Sequence, residues 1–409
     1  MEKKIPVKPD TYPIKELFYL LRGFVSETPV DTAPCMPVVK ELVYLSGIHG
    51  LQPVLYNMLQ SDMEQIEARY PGLPKELRNH FIAAVYQGMQ QEFSVQEMAE
   101  QFRTRGLRLI FFKGVWVRSY YPEPQLRTMG DIDCLIKEED RQKAHEIMLG
   151  LGYSCDIDKG YVWVYRRGSV MVEMHSRIAG NGISNQFGYM EYFCDAFQHT
   201  EERDGITYLE RDYQICYLFY HIAKHLSSTG AGIRMILDIG ILARCFDEAY
   251  WERIAGMLEQ IHLTKVAAAI FQLCKRWFDI TVPWKEQVGE ETLDQLEDYI
   301  ITGGTFGFET HDTGDFYLRK SQEGTPAGGK ASHYAKLARI YLFPKAENMV
   351  QILPAVERHP WLLPAAWVKR WWLGAFKRRG HSLHTIRSMM KKDEDRARRE
   401  HSLLKELGL

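Results

Sequence analysis

Two carboxylates, Asp131 and Asp133, stand two residues apart at the head of a short apolar run ending at Ile136. Side chains alternate faces along a strand, so Asp131, Asp133 and Leu135 share one face and Ile132, Cys134 and Ile136 the other. The apolar face can bury against helices while the two acids project together. Ionised carboxylates this close repel each other, and a divalent cation removes that penalty. Mg²⁺ takes one or two carboxylates plus water and phosphate oxygens, an arrangement suited to phosphoryl transfer. An Asp-x-Asp pair also begins many strands with both acids in solvent, so the surroundings must carry the argument.

Those surroundings supply a third acid. In the run Val170 to His175, Met171, Glu173 and His175 share one face of a strand. If that strand lies beside the Asp131–Asp133 strand, Glu173 reaches the same metal, and His175 orients it or contacts a substrate. Upstream, the β-rich run Leu107 to Phe112 ends in Lys113 and Gly114, where glycine permits close backbone approach and the lysine offers charge. Gly130 precedes the first acid, and Arg127 lies four residues before it, placed to clamp phosphate or pair with the acids. His221 and His225 are one helical turn apart. They suit a cleft better than a metal, because the zinc-protease pattern H-E-x-x-H is absent. Arg234 and Asp238 have the spacing of an intrahelical ion pair, with Arg234 as an alternative phosphate contact.

The elements that must hold these residues follow from periodicity. Leu42, Leu45, Ile48, Leu51, Leu55 and Leu59 form a helical stripe, with a new helix beginning near Pro53. A long helix is predicted from Glu76 to Arg105, capped at Gly106. Residues 107–176 read as strand, short helix (Val115 to Tyr121), strand, helix (Glu138 to Leu151) and a hairpin of Tyr161–Arg166 with Val170–His175. Helices are expected over 211–228, 232–246, 248–260 and 263–278, a long loop over 301–331, and proline-broken helix over 332–409.

Bulk properties narrow the class. The chain has 409 residues, net charge −2, 45% hydrophobic and 25% charged residues, all ordinary for a globular protein. Seven scattered cysteines without a C-x-x-C pair point to free thiols and a reducing compartment. No signal peptide and no run of about 18 apolar residues is present. The expectation is therefore a soluble cytoplasmic protein with no membrane partner. Residues 361–409 hold 12 Lys and Arg against 5 Asp and Glu, beside Trp361, Trp367, Trp371 and Trp372. Mixed signs around Lys391 favour a solvated helix there, so nucleic acid is a less favoured partner.

The run from Phe112 to Ile136 resembles the signature of a bacterial uncharacterised nucleotidyltransferase-like family within the DNA polymerase beta superfamily. Helical flanks around His49, His221–His225 and Arg234–Asp238 extend the resemblance over about residues 40 to 240. The resemblance implies that Asp131, Asp133 and Glu173 are the catalytic acids and hold Mg²⁺ or Mn²⁺. It implies an NTP substrate held by Lys113, Gly114, Arg127, Gly130, His175, His221, His225 and Arg234. The chain departs from the superfamily where a Gly-Ser pair would open the helix, since Lys113 and Gly114 stand there without a hydroxyl.

The expected fold is α+β: a small mixed-sheet nucleotidyltransferase core (106–210) between an N-terminal helical region (1–105) and a larger C-terminal helical domain (211–409). The expected activity moves a nucleoside monophosphate from an NTP to an acceptor hydroxyl on a small molecule, protein or RNA. The alternative is a non-catalytic nucleotide- or partner-binding protein on the same fold, favoured by the altered Lys113–Gly114 pair. A third, weaker reading is a metal-dependent hydrolase centred on His221 and His225.

Overall fold

The computed structural model describes residues 12–180, 188–228, 230–304, 337–349, 352–377 and 394–409. The fold is α+β, with one seven-stranded mixed sheet among helices. The first helices are α1 (Tyr12–Ser26), α2 (Val39–His49), α3 (Gln52–Leu59), α4 (Met63–Arg69) and α5 (Leu73–Thr104). Proline at the start of α3 and left-handed Gly106 after α5 mark boundaries as expected.

The sheet region follows: β1 (Ile110–Phe111), α6 (Gly114–Val117), β2 (Ile132–Leu135), α7 (Arg141–Gly150), β3 (Ser154–Ile157), β4 (Val162–Arg167), β5 (Val170–His175), α8 (Tyr189–Tyr192), β6 (Thr200–Arg203) and β7 (Ile206–Leu209). Then come α9 (Arg211–Ser227), α10 (Ile233–Cys245), α11 (Glu248–Gln260), α12 (Thr264–Phe278) and α13 (Glu290–Gly303). Later helices cover Ala355–Arg358, Leu363–Trp372 and Glu394–Glu406. The four helices expected after residue 210 lie within about two residues of their predicted ends. Of the loop expected over 301–331, residues 301–303 belong to α13 and 305–331 lie outside the described residues. Part of the basic C-terminal segment, residues 378–393, also lies outside them.

The strand order is β3-β4-β5-β2-β1-β7-β6. β2 runs parallel to β5 and antiparallel to β1, while β4 and β5 form the expected hairpin around left-handed Gly168. Three strands went unforeseen: β3, β6 and β7. Each has four residues, and no residue of β3 or β6 is buried, so no buried alternation marks those two.

Alternation along β2 divides its side chains between two cores. Ile132, Cys134 and Ile136 pack with Met98 and Phe102 of α5 and with Ala144, Ile147 and Met148 of α7. Leu135 joins the larger core on the opposite side, which draws on α1, α2, α9, α10 and α12. His49, fully buried at the end of α2, ties parts of that core together. Its Nε2 lies 3.1 Å from the Ile301 carbonyl, and the Ile233 N–H donates to its Nδ1 at 3.3 Å. Accepting at Nδ1 requires a neutral ring, and burial agrees by holding its pKa down at about 4. At the outer side, Trp277 of α12 stacks on Phe18 of α1 at 4.5 Å and donates to Glu297 of α13 at 2.7 Å.

Trp277 is fully buried. Trp277→Ala is expected to lower the unfolding free energy by about 3–5 kcal/mol, read from the urea midpoint. A loss below about 1 kcal/mol would show that this contact of α12 with α1 and α13 adds little.

Candidate active site

Asp133 and Glu173 are direct neighbours across the parallel β2–β5 pair, as are Leu135 and His175. A shared face and in-register pairing bring the two acids and the imidazole together. Asp133 is 1% exposed rather than solvated, and His175 is buried beside it. His175 Nε2 lies 3.2 Å from Asp133 Oδ1 and 3.6 Å from Glu173 Oε2. Asp131 sits one residue before β2, at the mouth of the same group.

Lys113 reaches into this cluster from the turn after β1. Its Nζ is 2.9 Å from Asp133 Oδ2 and 3.9 Å from Asp131 Oδ2. The backbone there is unusual for a lysine, with φ 60° and ψ −119°, a conformation that favours glycine. Gln214 of α9 fixes the turn by accepting from the Lys113 N–H at 2.9 Å. Strain at a non-glycine residue, held by a buried side chain, places the ammonium among the acids.

Electrostatics follow from this geometry. Burial alone would raise the Asp133 carboxyl, but the Lys113 ammonium and the hydrogen bond with His175 outweigh it and hold it at about 2. Asp131 is pushed up, by burial first and then by Asp133 and Glu173 against the pull of Lys113. Burial opposes charge on His175 as well, yet its bonds to Asp133 and Glu173 raise its pKa. Burial would likewise lower Lys113, and attraction to Asp131 and Asp133 raises it instead.

The loop leading into the acids is fastened at three successive residues. Arg127 forms a two-pronged ion pair with Asp238 of α10, at 2.8 and 2.7 Å, and Tyr121 donates to the same carboxylate at 2.8 Å. Thr128 Oγ1 donates to the Gly50 carbonyl at 2.8 Å, while Arg234 donates to both Thr128 oxygens at 2.8 and 2.7 Å. The Met129 carbonyl accepts from Gln91 and Gln87 of α5 at 3.1 and 3.3 Å. This corrects the expected pairing within α10: Asp238 is taken by Arg127, and Arg234 turns to the acid loop. Arg127 is likewise spent on Asp238 rather than extended toward the acids.

Close packing favours Gly114, since a Cβ there would lie 2.9 Å from both Arg127 Nη1 and Met129 Sδ and would displace those side chains. A Cβ on Gly130 would meet open space. The helix after Lys113 and Gly114 is a single α-turn continued by a 3-10 turn over Arg118–Tyr120.

A cavity of about 290 Å³ opens between this sheet face and helices α9 and α10. It is lined by all the residues expected to hold metal or nucleotide: Lys113, Gly114, Arg127, Gly130, Asp131, Asp133, Glu173, His175, His221, His225 and Arg234. His221 and His225 pack edge to face at 4.4 Å, and burial followed by the charge of Lys113 keeps both neutral, His225 at about 3. Sequence reasoning missed Tyr217 and Lys224 on the cavity wall and Gln214 beneath it. Their signal was present: 214, 217, 221, 224 and 225 recur at helical spacing within the mostly apolar body of that helix.

Among the described residues, Asp133, Glu173 and His175 form the one group able to hold a metal ion, with ligand atoms all within 4.8 Å of one another. Two carboxylate oxygens and an imidazole nitrogen suit a divalent cation; this group shares Asp133 and Glu173 with the expected ligand set and has His175 where Asp131 was expected. Lys113 and His175 offset only part of the charge of three carboxylates. Among the described residues, no helix is long and apolar enough to cross a membrane. All seven cysteines are free.

The family model described as "Uncharacterised nucleotidyltransferase" matches residues 39–279. That range begins at α2 and ends just past α12, enclosing the sheet and both walls of the cavity. Neither a curated protein nor a solved structure matches the chain significantly.

Two outcomes follow. Asp238→Asn leaves the Arg127 guanidinium buried without its counter-charge and is expected to lower stability by about 3–5 kcal/mol, measured by chemical denaturation. His175 has a folded pKa above its ordinary 6.5, so its contribution is full below that value and fades as pH rises through the raised one. In EDTA, the melting-temperature gap between the wild type and His175→Gln should be wider near pH 5.5 than near pH 9. A gap that widened toward alkaline pH would contradict the ionic role of His175.

Proposed function

Because the chain belongs to the uncharacterised nucleotidyltransferase family, we propose that it moves a nucleoside monophosphate from an NTP to an acceptor hydroxyl, releasing pyrophosphate. The single observation that carries this reading is the in-register pairing of Asp133 with Glu173, beside Asp131, on the floor of a cavity. In this reading Asp131, Asp133 and Glu173 are the catalytic acids and His175 completes the metal-ligand set. A divalent cation held there supplies positive charge to the reacting phosphate oxygens. The imidazole in the set suits Mn²⁺ better than Mg²⁺.

The other roles belong to the chain's own groups. Glu173, half-buried at the cavity edge, accepts the proton as the acceptor oxygen bonds to the α-phosphorus; the bond to the β-phosphate oxygen breaks and pyrophosphate leaves. Lys113, Lys224 and Arg234 bring positive charge to the cavity for the phosphates. Neutral His221 and His225 offer nitrogens for hydrogen bonds to the nucleotide or the acceptor. Arg127 and Gly114 act by fixing the acid loop. The acceptor is a small molecule, a protein side chain or an RNA end, and the site lies in the cytoplasm.

A second reading is supported by Lys113. Its ammonium stands 2.9 Å from Asp133, where a built-in positive charge takes up part of the compensation a metal would provide. On that reading the protein binds a nucleotide or a partner without turnover.

Pyrophosphate release from each NTP, with Mn²⁺ or Mg²⁺ and a bacterial lysate as acceptor source, separates the two. Transfer predicts release that falls at least about 100-fold in Asp133→Asn and is faster with Mn²⁺. Lys113→Ala should lower kcat/KM by about 10–100-fold, mainly through KM for the NTP. Nucleotide binding without release, in wild type and Lys113→Ala alike, would overturn transfer in favour of the binding role.

A further inference from the structure

Helix α5 buries one face against the sheet through Gly88, Gln91, Val95, Met98 and Phe102. Its opposite face is not covered by any described residue. There Ile82, Tyr86, Met89 and Phe93 are 55–65% exposed. Their spacing of four, three and four residues is the alternation of a and d positions in a heptad, the seam that a second helix packs into. Single exposed apolar residues need no explanation, but four in line on one helix do.

The same seam continues in both directions with polar residues. Asn79 and Lys75 lie on its N-terminal extension, Gln96 and Glu100 on its C-terminal one, all exposed. We propose that α5 is a dimer interface, in which two copies of this chain pair their α5 helices antiparallel about a two-fold axis between Gln87 and Gly88. Tyr86 then packs on Met89 of the second copy and Ile82 on Phe93. Asn79 meets Gln96, amide to amide, and Lys75 meets Glu100, each interaction occurring twice by symmetry. A two-fold interface must be self-complementary in this way. Parallel pairing of the same helices would instead set Lys75 against Lys75 and Glu100 against Glu100. Arg103 bonds Glu100 within the helix at 2.6 Å, so the exposed Lys75 joins an existing surface ion pair.

This charge and amide pattern selects a second copy over another protein, because nothing requires the ends of a hetero-partner's groove to mirror each other. The inference is independent of what the cavity does, though the helix is shared: Gln87 and Gln91 reach from α5 to the loop that carries the acids.

Sedimentation of the full chain over a concentration series tests the proposal. The wild type is expected to run at twice the chain mass at micromolar concentration. Met89→Glu, an exposed change that should leave the melting temperature of the protomer intact, is expected to weaken association at least about 100-fold. Lys75→Glu and Glu100→Lys, each alone, set like charges opposite one another and should weaken it, and the two together should restore it. A monomer at all concentrations, or a dimer indifferent to Met89→Glu, would overturn the interface. A dimer that Met89→Glu splits but the paired charge reversal fails to restore would overturn the antiparallel two-fold pairing.

Discussion

Repulsion among carboxylates governs this molecule. Asp131, Asp133 and Glu173 converge on one face of the sheet, and Asp133 is sealed from water. A buried carboxylate without compensation is neutral or destabilising. Here Lys113 and His175 provide the compensation, at 2.9 and 3.2 Å from the two Asp133 oxygens. The strained turn at Lys113, the Gln214 bond that braces it and the placement of His175 in register with Leu135 all serve that neutralisation.

Holding the acids requires more than neutralising them. The strand that bears Asp133 is four residues long, too short to fix the loop before it. Three successive residues of that loop are therefore tied to separate elements: Arg127 to α10, Thr128 to Gly50 and Arg234, and Met129 to α5. Gly114 lets Arg127 and Met129 approach at 2.9 Å from where a side chain would begin. Elements that precede and follow the sheet in the sequence thus act together on the site it bears. The family match over residues 39–279 covers all of these anchors.

Much of the site was legible because strand periodicity is rigid. A period of two put Asp131 and Asp133 on one face of DIDCLI and Glu173 and His175 on one face of VMVEMH; the parallel pairing of the two strands then joined those faces. Likewise, α9 and α10 were readable from their long apolar stripes. What escaped was long-range pairing. Arg234 and Asp238 have the spacing of an ion pair, but Asp238 prefers a partner 111 residues away whose planar fork matches both its oxygens. Short polar strands such as β6 are held by neighbours and leave no local signal. α13 did leave one, since Leu293, Leu296 and Ile300 recur at helical spacing.

On the reading proposed above, Asp133, Glu173 and His175 hold a divalent cation in a setting where Lys113 already supplies a positive charge. Titration with Mn²⁺, followed by the loss of its free electron paramagnetic resonance signal, addresses that directly. Binding is expected to be saturable, to tighten in Lys113→Ala, where a competing ammonium is gone, and to disappear in Asp133→Asn. Binding that persists in Asp133→Asn, or no binding in either the wild type or Lys113→Ala, would contradict it.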